Sequence, residues 1–384
     1  MPAISQTVDR VIQAVSIKYN NIVYEMKQAG DDVIVLSLGE AFFDIPLFPM
    51  DDLPMPAVYH YSHSRGIIEL RKLLADFFAK TYDVHFDPET EIIVTAGSKA
   101  AIHMAFMAML DPGDEVVILE PYWVSYTEQV RLCQGVPVSV PLETPVTDLE
   151  RFITPRTRCI VVNNPNNPGG HLYSLAELQT LYALAQKHDI FLLADEAYSE
   201  FVLDPKQFHS LGSVDKHFTH SIVCNSISKN YGLSGWRLGY VIGNPTLINA
   251  VLKVNQHLVT CPATILEHYI ARHFYEILEI TRPQIRAVVE KRAQVLAYMD
   301  KIGLKYLPGD STFYTFVSID PSSLDSDAFC TRLLREFHVC AVPGIGYGAS
   351  CDRHIRVSVG TESWERTTRG LDIIRALVAA TTPR

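Results

Sequence analysis

Between residues 91 and 243 the chain alternates short apolar runs with amphipathic stretches. The apolar runs are rich in β-branched residues and end in turn-forming residues, which is typical of strands buried on both faces. They are EIIVTAG (91–97), DEVVILEP (114–121), RCIVVNN (158–164), IFLLADEAY (190–198), SIVCNSISK (221–229) and WRLGYVIG (236–243). Helical patterns such as LAELQTLYALAQKHD (175–189) separate several of them. The alternation predicts an α/β fold whose large domain holds a mostly parallel, doubly covered sheet.

The pattern changes near residue 275. A long helical period, TRPQIRAVVEKRAQVLAYMDKI (281–302), precedes alternating strands such as FYTFVSI (313–319) and two closing helices. These elements predict a smaller α+β domain. The N-terminal segment, with a helical period and the strand DVIVLSL (32–38), could by its pattern join either part. We assign residues 46–275 to the large domain, and residues 1–45 and 276–384 to the small domain.

Composition narrows the possible partners. The 384 residues carry a formal charge of −10 and no run of Lys and Arg, which argues against nucleic acid and anionic membranes as partners. The seven cysteines are scattered without a CxxC pair, so neither a disulfide framework nor a zinc knuckle is predicted. No stretch reaches the roughly 18 apolar residues of a membrane span, and no apolar signal core opens the chain. We therefore expect a soluble, cytoplasmic protein.

Polar residues follow four of the predicted strands, at the points where the strands end. Asp195 ends IFLLAD, the run NNPNNPGG (163–170) follows CIVV, Gly97-Ser98 follows EIIVTA, and residues 226–229 follow SIVCN. Each alone is typical of an ordinary strand-to-helix turn. In an open α/β sheet, however, the carboxyl ends of the strands form the ligand-binding edge. Four such turns, one with an acid and one with a lysine, indicate a functional site.

Seven motifs in this chain resemble those of the class I/II aminotransferases, which are fold type I pyridoxal-phosphate enzymes. They occur in the family's order and at its spacing across nearly the whole chain. The motifs are YSHSRGIIELR (61–71), TAGSKAA (95–101), DPGDEVVILEPYWVSY (111–126), NNPNNPGG (163–170), LLADEAY (192–198), SISKNYGLSGWRLGY (226–240) and VPGIGYGASCDRHIRVSVG (342–360). The resemblance implies the fold type I architecture and pyridoxal 5'-phosphate as the cofactor.

The resemblance also assigns the two cations of residues 226–240. Lys229 matches the lysine that forms a Schiff base with the cofactor aldehyde, a reaction that needs a lysine kept reactive by burial and nearby cations. Arg237 matches the arginine that binds the cofactor phosphate, whose geometry suits a planar, bidentate donor. Ser226 matches the phosphate hydroxyl. The turn Gly97-Ser98-Lys99 opens a helix, and its free N–H groups are expected to face the same phosphate.

Further residues match groups around the cofactor ring. Asp195 matches the acid that keeps the pyridine nitrogen protonated, and Tyr198 and Asn167 match the two groups that hydrogen-bond the phenolic oxygen. Trp123 matches the aromatic residue stacked on the ring. Tyr61 matches a phosphate ligand donated by a neighbouring subunit, which implies a homodimer with shared active sites. Lys229, Asp195 and Tyr198 are thus the predicted catalytic residues.

The substrate side of the site is assigned in the same way. Arg356 matches the arginine that binds the substrate α-carboxylate, with Gly39 close by and with Asn167 and Trp123 shared between cofactor and substrate. The chain is most similar to a bacterial aspartate/prephenate subgroup, in which a lysine and a threonine recognise the distal carboxylate. Lys99 occupies the position of that lysine, and Ser16 that of the threonine.

Two motifs depart from the family pattern near the substrate pocket. The usual GEPDFDTP reads GEAFFDIP (39–46), so that Ala41 and Phe42 replace a proline and an acid. NNPTG reads NNPGG, with Gly169 in place of a threonine. These departures bear on the substrate range, because Ala41 and Phe42 in place of a proline and an acid favour an apolar or aromatic substrate side chain.

Other classes of enzyme fit the sequence poorly. A nicotinamide dehydrogenase requires GxGxxG after the first strand, and a serine hydrolase requires GxSxG; the nearest stretches, GIGYG (344–348) and GLSGW (232–236), match neither. The 14 histidines show no metal-ligand spacing. We predict an aminotransferase that moves an amino group from an L-amino acid, aspartate or glutamate, to a 2-oxo acid. The alternatives are an aromatic amino acid aminotransferase, or a β-elimination lyase or decarboxylase that uses the same cofactor.

Overall fold

The computed structural model describes residues 2–383. The strands are β1 (Ile34–Val35), β2 (Ile92–Thr95), β3 (Glu115–Leu119), β4 (Val136–Val140), β5 (Thr157–Asn163), β6 (Phe191–Asp195), β7 (Ser221–Ser226), β8 (Gly239–Gly243), β9 (Tyr306–Leu307), β10 (Tyr314–Ser318), β11 (Val339–Cys340), β12 (Val342–Pro343) and β13 (His354–Ser358). The α-helices are α1 (Gln6–Asp9), α2 (Val15–Gln28), α3 (Ile68–Tyr82), α4 (Ser98–Met109), α5 (Ser125–Leu132), α6 (Leu175–His188), α7 (Leu211–Val214), α8 (Ile227–Asn230), α9 (Pro245–Leu258), α10 (Thr264–Arg272), α11 (Phe274–Ile302), α12 (Ser326–Phe337) and α13 (Trp364–Ala380).

The large sheet has the strand order β2-β8-β7-β6-β5-β3-β4. Its neighbouring strands run parallel except for β8, which is antiparallel to both β2 and β7. Strands β2, β7 and β8 are buried at every position, because separate hydrophobic clusters cover the two faces of the sheet. The predicted α/β fold with a mostly parallel, doubly covered sheet is therefore confirmed.

Register places polar residues side by side at the carboxyl edge of this sheet. Asn163, the last residue of β5, pairs with Asp195, the last residue of β6. On the next strands, Ser226 at the end of β7 pairs with Gly239 at the start of β8. Helix α4 begins directly after β2, where Gly97 precedes its first turn with a φ of +84°. The strand ends that the sequence singled out thus meet along one edge.

The second part of the fold is built on an antiparallel sheet with the order β12-β13-β10-β9. Strand β1 from the N-terminal segment pairs in parallel with β11 from the C-terminal part. A third hydrophobic cluster joins residues of α2 and β1 to residues of α11, α12 and α13. The domain boundaries at residues 46 and 276 stay a prediction, and the pairing of β1 with β11 supports grouping the N-terminal segment with the C-terminal one.

Some elements differ from the sequence-based expectation. The helix expected from residue 281 begins at Phe274 and accommodates Pro283, which costs it one backbone hydrogen bond. Strand β4 was not expected, because its sequence VPVSV contains a proline and lies at the half-exposed edge of the sheet. The run DVIVLSL forms a strand over only two residues, Ile34–Val35. Within the described residues, none of the helices combines the length and the apolar character that a membrane crossing demands.

Candidate active site

A cavity of about 290 Å³ opens at the carboxyl edge of the large sheet, where α2 and the antiparallel sheet close over it. Most of the residues predicted for the site line it, namely Ser16, Gly39, Ser98, Lys99, Trp123, Asn167, Asp195, Tyr198, Ser226, Lys229, Arg237 and Arg356. The other lining residues were not predicted, and they are Asn20, Asn163, Ala197, Ser228, Ser234 and Tyr314. Four cationic side chains and one carboxylate therefore share one small space.

Lys229 lines this cavity. It lies on the short helix α8, directly after β7, so its position is fixed by the sheet edge. Its Nζ donates a hydrogen bond to the backbone oxygen of Gly39 at 2.6 Å. Burial, opposed by the carboxylate of Glu40 and assisted by the cations Arg356 and Arg237, lowers the pKa of Lys229 to about 8. About a tenth of this amine is therefore neutral and nucleophilic at pH 7, far more than for a lysine with its ordinary pKa of about 10.4.

Arg237 and the first turn of α4 form the cationic end of the cavity. Arg237 has a left-handed backbone with a φ of +54°, and its Nη1 donates to the Ser234 carbonyl at 2.7 Å and the Ser228 hydroxyl at 3.2 Å. Gly97 lies against this guanidinium, since a Cβ added at Gly97 would come within 2.6 Å of Nη2. Gly97 does not line the cavity itself, but only a glycine lets the arginine approach the helix N-terminus this closely. The arrangement suits an anion with several oxygens.

Ser226 adds a hydroxyl to the same end. Its Oγ accepts a hydrogen bond from the backbone N–H of Ser228 at 3.0 Å, which caps α8. Because the oxygen is used as an acceptor there, the hydroxyl hydrogen is free to be donated to a ligand.

Asp195 also lines the cavity and is buried. Its Oδ2 accepts a hydrogen bond from the phenol of Tyr126 at 2.5 Å, and Oδ1 accepts one from the backbone N–H of Ala197 at 3.2 Å. Burial raises the pKa of Asp195, while these two hydrogen bonds oppose the rise. No basic side chain among the described residues pairs with this carboxylate, so it is prepared to bind a cationic N–H group.

Asn163 connects Asp195 to the loop of residues 163–170. Its Nδ2 donates to the Asp195 backbone oxygen at 3.0 Å, and its Oδ1 accepts from the backbone N–H of Asn167 at 2.7 Å. The sequence analysis did not assign Asn163 and Tyr126 to the site, although both belong to motifs of the family. Asn163 is the last residue of β5, and Tyr126 follows Trp123 by three residues, so their positions in the sequence could have indicated a place beside the site.

Trp123 and Lys99 form one wall of the cavity. The Lys99 ammonium lies 5.0 Å from the centroid of the Trp123 ring, and Trp123 meets the ring of Tyr126 edge-on. Burial lowers the pKa of Lys99, and the nearby charge of Arg237 adds to this effect. None of the ion pairs found within residues 2–383 involves Lys99. This cation is therefore available to a ligand.

Arg356 is buried in the wall formed by β13. Its Nη2 donates to the Ser37 carbonyl at 2.7 Å and its Nη1 to Asn167 Oδ1 at 3.3 Å, while its guanidinium lies 4.5 Å from the centre of the Tyr314 ring. The Nε atom is buried without a hydrogen-bond partner in the described chain. All of these partners are neutral, so the buried positive charge lacks a counter-ion and suits a carboxylate ligand.

Helix α2 and strand β10 complete the wall near Arg356. Ser16 and Asn20 lie one turn apart on α2, and Asn20 Oδ1 accepts a hydrogen bond from the Ser37 hydroxyl at 2.8 Å. On the other side, the phenol groups of Tyr198 and Tyr314 are 2.9 Å apart. Burial raises the pKa of Tyr198, which keeps its phenol protonated and able to donate. Tyr314 was not foreseen because it belongs to a strand whose apolar pattern indicates only core.

Tyr61 lies outside the cavity, and so do the residues at which the chain differs from the family motifs. The Tyr61 side chain is 87% exposed in this single chain. Phe42 is 66% exposed and Ala41 is buried, and neither lines the cavity. A Cβ at Gly169 would come within 2.9 Å of Asn166 Oδ1 and 3.2 Å of Leu307, so this position has little room for a threonine. The departures in GEAFFDIP therefore act on the pocket only indirectly in this chain.

Comparisons with known proteins agree with this geometry. Residues 49–372 match the family described as aminotransferase class I and II. The aspartate/prephenate aminotransferase of Thermus thermophilus is 35% identical over 380 residues, covering 94% of this chain and 95% of that protein. Aromatic-amino-acid aminotransferase 2 of Thermococcus litoralis is 30% identical, covering 91% of this chain and 92% of its own length. The solved structure of Thermus thermophilus aspartate aminotransferase with maleate has a TM-score of 0.90 at 32% identity, covering 98% of this chain and 100% of that chain.

Proposed function

Because this chain belongs to the class I and II aminotransferases and is a pyridoxal-phosphate-dependent transaminase, we propose that its amino donor is an acidic L-amino acid, aspartate or glutamate. The amino group passes to a 2-oxo acid. The observation that carries the proposal is Lys99, a cation without an ion-pair partner in the described chain, on the wall of the same cavity as Arg356. Two separated cations match a substrate with two carboxylates.

The residues present fit the cofactor. Arg237, Ser226 and the N-terminus of α4 provide the donors for its phosphate, and Gly97 leaves the space that brings them together. Asp195, which accepts a hydrogen bond from Tyr126, would bind the protonated ring nitrogen. Bound pyridoxal phosphate supplies an aldehyde for attachment to an amine and a ring that accepts electrons from the substrate.

Lys229 has two roles in the proposal. Its amine, with a pKa of about 8, would hold the cofactor through the aldehyde, and the same Nζ, when free, would move the proton at the substrate α-carbon. Asp195 holds a proton on the ring nitrogen through its negative charge. Tyr198, with a phenol that stays protonated, and Asn167 donate hydrogen bonds to the phenolic oxygen of the ring.

The substrate is oriented by its carboxylates. Arg356 binds the α-carboxylate, and Asn167 and Gly39 lie beside it. Lys99 would bind the distal carboxylate, with the Ser16 hydroxyl as a second donor, and Trp123, next to Lys99, would stack on the ring of the cofactor. An aromatic amino acid is the alternative donor, since its ring would stack against Trp123 in place of an ion pair.

The proposed assembly is a homodimer in which each site receives Tyr61 from the other subunit. The exposed phenol of Tyr61, away from the cavity of its own chain, supports this arrangement. A cytoplasmic location remains a prediction from the sequence.

Spectroscopy of single half-reactions tests the proposed donor. The holoenzyme is mixed with aspartate, glutamate, alanine or phenylalanine, one at a time, and conversion of the aldehyde form to the amine form is followed by absorbance. A 2-oxo acid is then added to restore the aldehyde form. We expect the highest second-order rate constant with aspartate or glutamate; a preference for phenylalanine would establish the aromatic alternative.

A further inference from the structure

The loop of residues 60–67 holds Tyr61 in an unusual way. The Tyr61 side chain is 87% exposed, yet the backbone on both sides of it is fixed by one hydroxyl group. Thr264 Oγ1 donates a hydrogen bond to the His60 carbonyl at 2.8 Å and accepts one from the Ser62 N–H at 3.1 Å. Thr264 is the first residue of α10 and is buried. A single side chain thus spans Tyr61 and sets the direction in which its phenol projects.

Glu267, one turn further along α10, holds the rest of this loop. Its Oε2 accepts a hydrogen bond from the Ser62 hydroxyl at 2.6 Å, and its Oε1 accepts one from the Ile67 N–H at 3.1 Å. The carboxylate is buried, and none of the ion pairs within residues 2–383 includes it. Burying a carboxylate is costly, so the hydrogen bonds to the loop are what stabilise it there.

The loop is also shaped to fit this carboxylate. Gly66 has a φ of +86°, and a Cβ at that position would come within 2.5 Å of Glu267 Oε1 and 2.6 Å of Val94 Cβ. Asn255 Nδ2 donates to the Ser64 carbonyl at 2.8 Å, and the Arg65 carbonyl accepts from the Val94 N–H at 2.9 Å. The loop is therefore anchored to α9, α10 and β2, although its central side chain is exposed.

We propose that Thr264 and Glu267 are positioning residues that hold Tyr61 ready to bind the cofactor phosphate in the neighbouring subunit. The inference rests on the proposed role of Tyr61. A phenol on a mobile loop would have to be ordered when the cofactor binds, and that entropic cost would weaken binding. The hydrogen bonds from Thr264 and Glu267 remove this cost because they order the loop beforehand.

Cofactor affinity tests the inference without using turnover. The full chain is freed of cofactor and titrated with pyridoxamine 5'-phosphate, which has no aldehyde to attach to Lys229, and the dissociation constant is measured by calorimetry. We expect Tyr61→Phe to weaken binding about tenfold or more, as for a lost hydrogen bond to a charged group. Thr264→Val should weaken it by roughly the same factor, and Thr264→Ser, which keeps the hydroxyl, should restore it. Thr264→Val in the Tyr61→Phe background should cause no further loss, because the positioned group is already absent.

Two variants separate positioning from general stability. Thr367 is a buried threonine on α13, the last helix of the described chain, and its hydroxyl donates a hydrogen bond to the Ser363 carbonyl at 2.7 Å. Thr367→Val should lower the melting temperature much as Thr264→Val does, but leave cofactor affinity unchanged. Ser62→Ala removes only the hydrogen bond to Glu267 and should weaken binding a few-fold, so the inference stays testable if Thr264→Val fails to fold.

The possible failures are distinguishable. If Tyr61→Phe binds the cofactor as the wild type does, the proposed role of Tyr61 is wrong and the inference fails with it. If Tyr61→Phe weakens binding but Thr264→Val and Ser62→Ala do not, or if their effects add to that of Tyr61→Phe, the positioning role alone is wrong.

Discussion

The phenol of Tyr126 donates a hydrogen bond of 2.5 Å to Asp195 Oδ2, and both side chains are buried beside the active-site cavity, which Asp195 lines. Tyr126 enters from the first turns of α5, whereas Asp195 ends β6. Among the described residues, the other carboxylate oxygen, Oδ1, accepts a hydrogen bond only from the backbone N–H of Ala197, so it can accept a further one from a ligand. Tyr126 therefore orients Asp195 and favours its ionised form, which the proposed role towards the cofactor ring requires.

The first prediction concerns this pair. Asp195→Asn removes the negative charge, so kcat should fall roughly 100- to 1,000-fold even at saturating substrate. Tyr126→Phe removes one hydrogen bond but keeps the charge, and kcat should fall about tenfold. Steady-state kinetics with saturating donor measure both losses.

A matched control is available for this prediction. The phenol of Tyr298 donates to the carboxylate of Asp372 at 2.9 Å on the protein surface. Tyr298→Phe should leave kcat unchanged. Equal losses in Tyr126→Phe and Tyr298→Phe would contradict the role assigned to Tyr126.

The second prediction concerns the ionisation of Lys229 in the cofactor-free protein. Burial holds its pKa at about 8, so its reactivity towards an amine-modifying reagent should rise between about pH 7 and pH 9. An exposed lysine would become reactive only near its ordinary pKa of about 10.4. Peptide mapping after brief labelling at each pH gives the titration curve of this residue alone.

Neighbouring charges should move that curve in opposite directions. Arg356→Leu removes a like charge and should raise the pKa of Lys229, because the ammonium form is no longer repelled. Glu40→Gln removes an opposite charge and should lower it. If both variants shifted the curve the same way, the electrostatic account of Lys229 would be wrong.

The sequence predicted the sheet and its buried strands, because fully apolar runs indicate burial on both faces. It predicted the edge that carries the site, because turn-forming residues mark where those strands end. It placed residues 226–229 and Asp195 at strand ends, where the structure also has them. It missed Asn163, Tyr126 and Tyr314, since their roles depend on which side chains meet across the fold. Periodicity and spacing within one stretch do not contain that information.

The same limit applies to elements at the edges of the fold. Strand β4 lies at the end of the large sheet with partly exposed residues, so its sequence lacks the apolar signature of the central strands. Helix α11 begins at Phe274 despite Pro283, because its buried residues from Phe274 to Met299 pack along both core regions and outweigh one missing hydrogen bond. Local rules predicted neither outcome, as tertiary packing decided both.

The third prediction addresses substrate choice. Lys99→Ala should reduce kcat/KM for aspartate or glutamate roughly 30- to 1,000-fold, equivalent to about 2–4 kcal/mol of transition-state stabilisation, because the distal carboxylate loses its ion-pair partner. Its kcat/KM for alanine or phenylalanine should hardly change. Lys18→Ala, which removes an exposed lysine of α2, is the control. A uniform loss across all four amino acids in Lys99→Ala would show that this lysine serves the cofactor rather than the substrate.

The fourth prediction tests whether the sites are shared between subunits. Mixed dimers of one Lys229→Ala and one Tyr61→Ala subunit are purified through two different affinity tags. If Tyr61 acts on the neighbouring site, one of the two sites contains both Lys229 and Tyr61, and activity should reach about half that of the wild type. If Tyr61 served its own chain, neither site would contain both residues, and the mixed dimer would show only the residual activity of a single Tyr61→Ala site.

The fifth prediction concerns Lys229 itself, on which the whole assignment of the site depends. Borohydride reduction of the holoenzyme fixes the cofactor to the lysine that holds it, and digestion followed by mass spectrometry identifies the labelled peptide. We predict a single label on Lys229, and no label in Lys229→Ala, which should still bind cofactor through Arg237 and have lost turnover by several orders of magnitude. A label on Lys99 or on any other lysine would contradict the account.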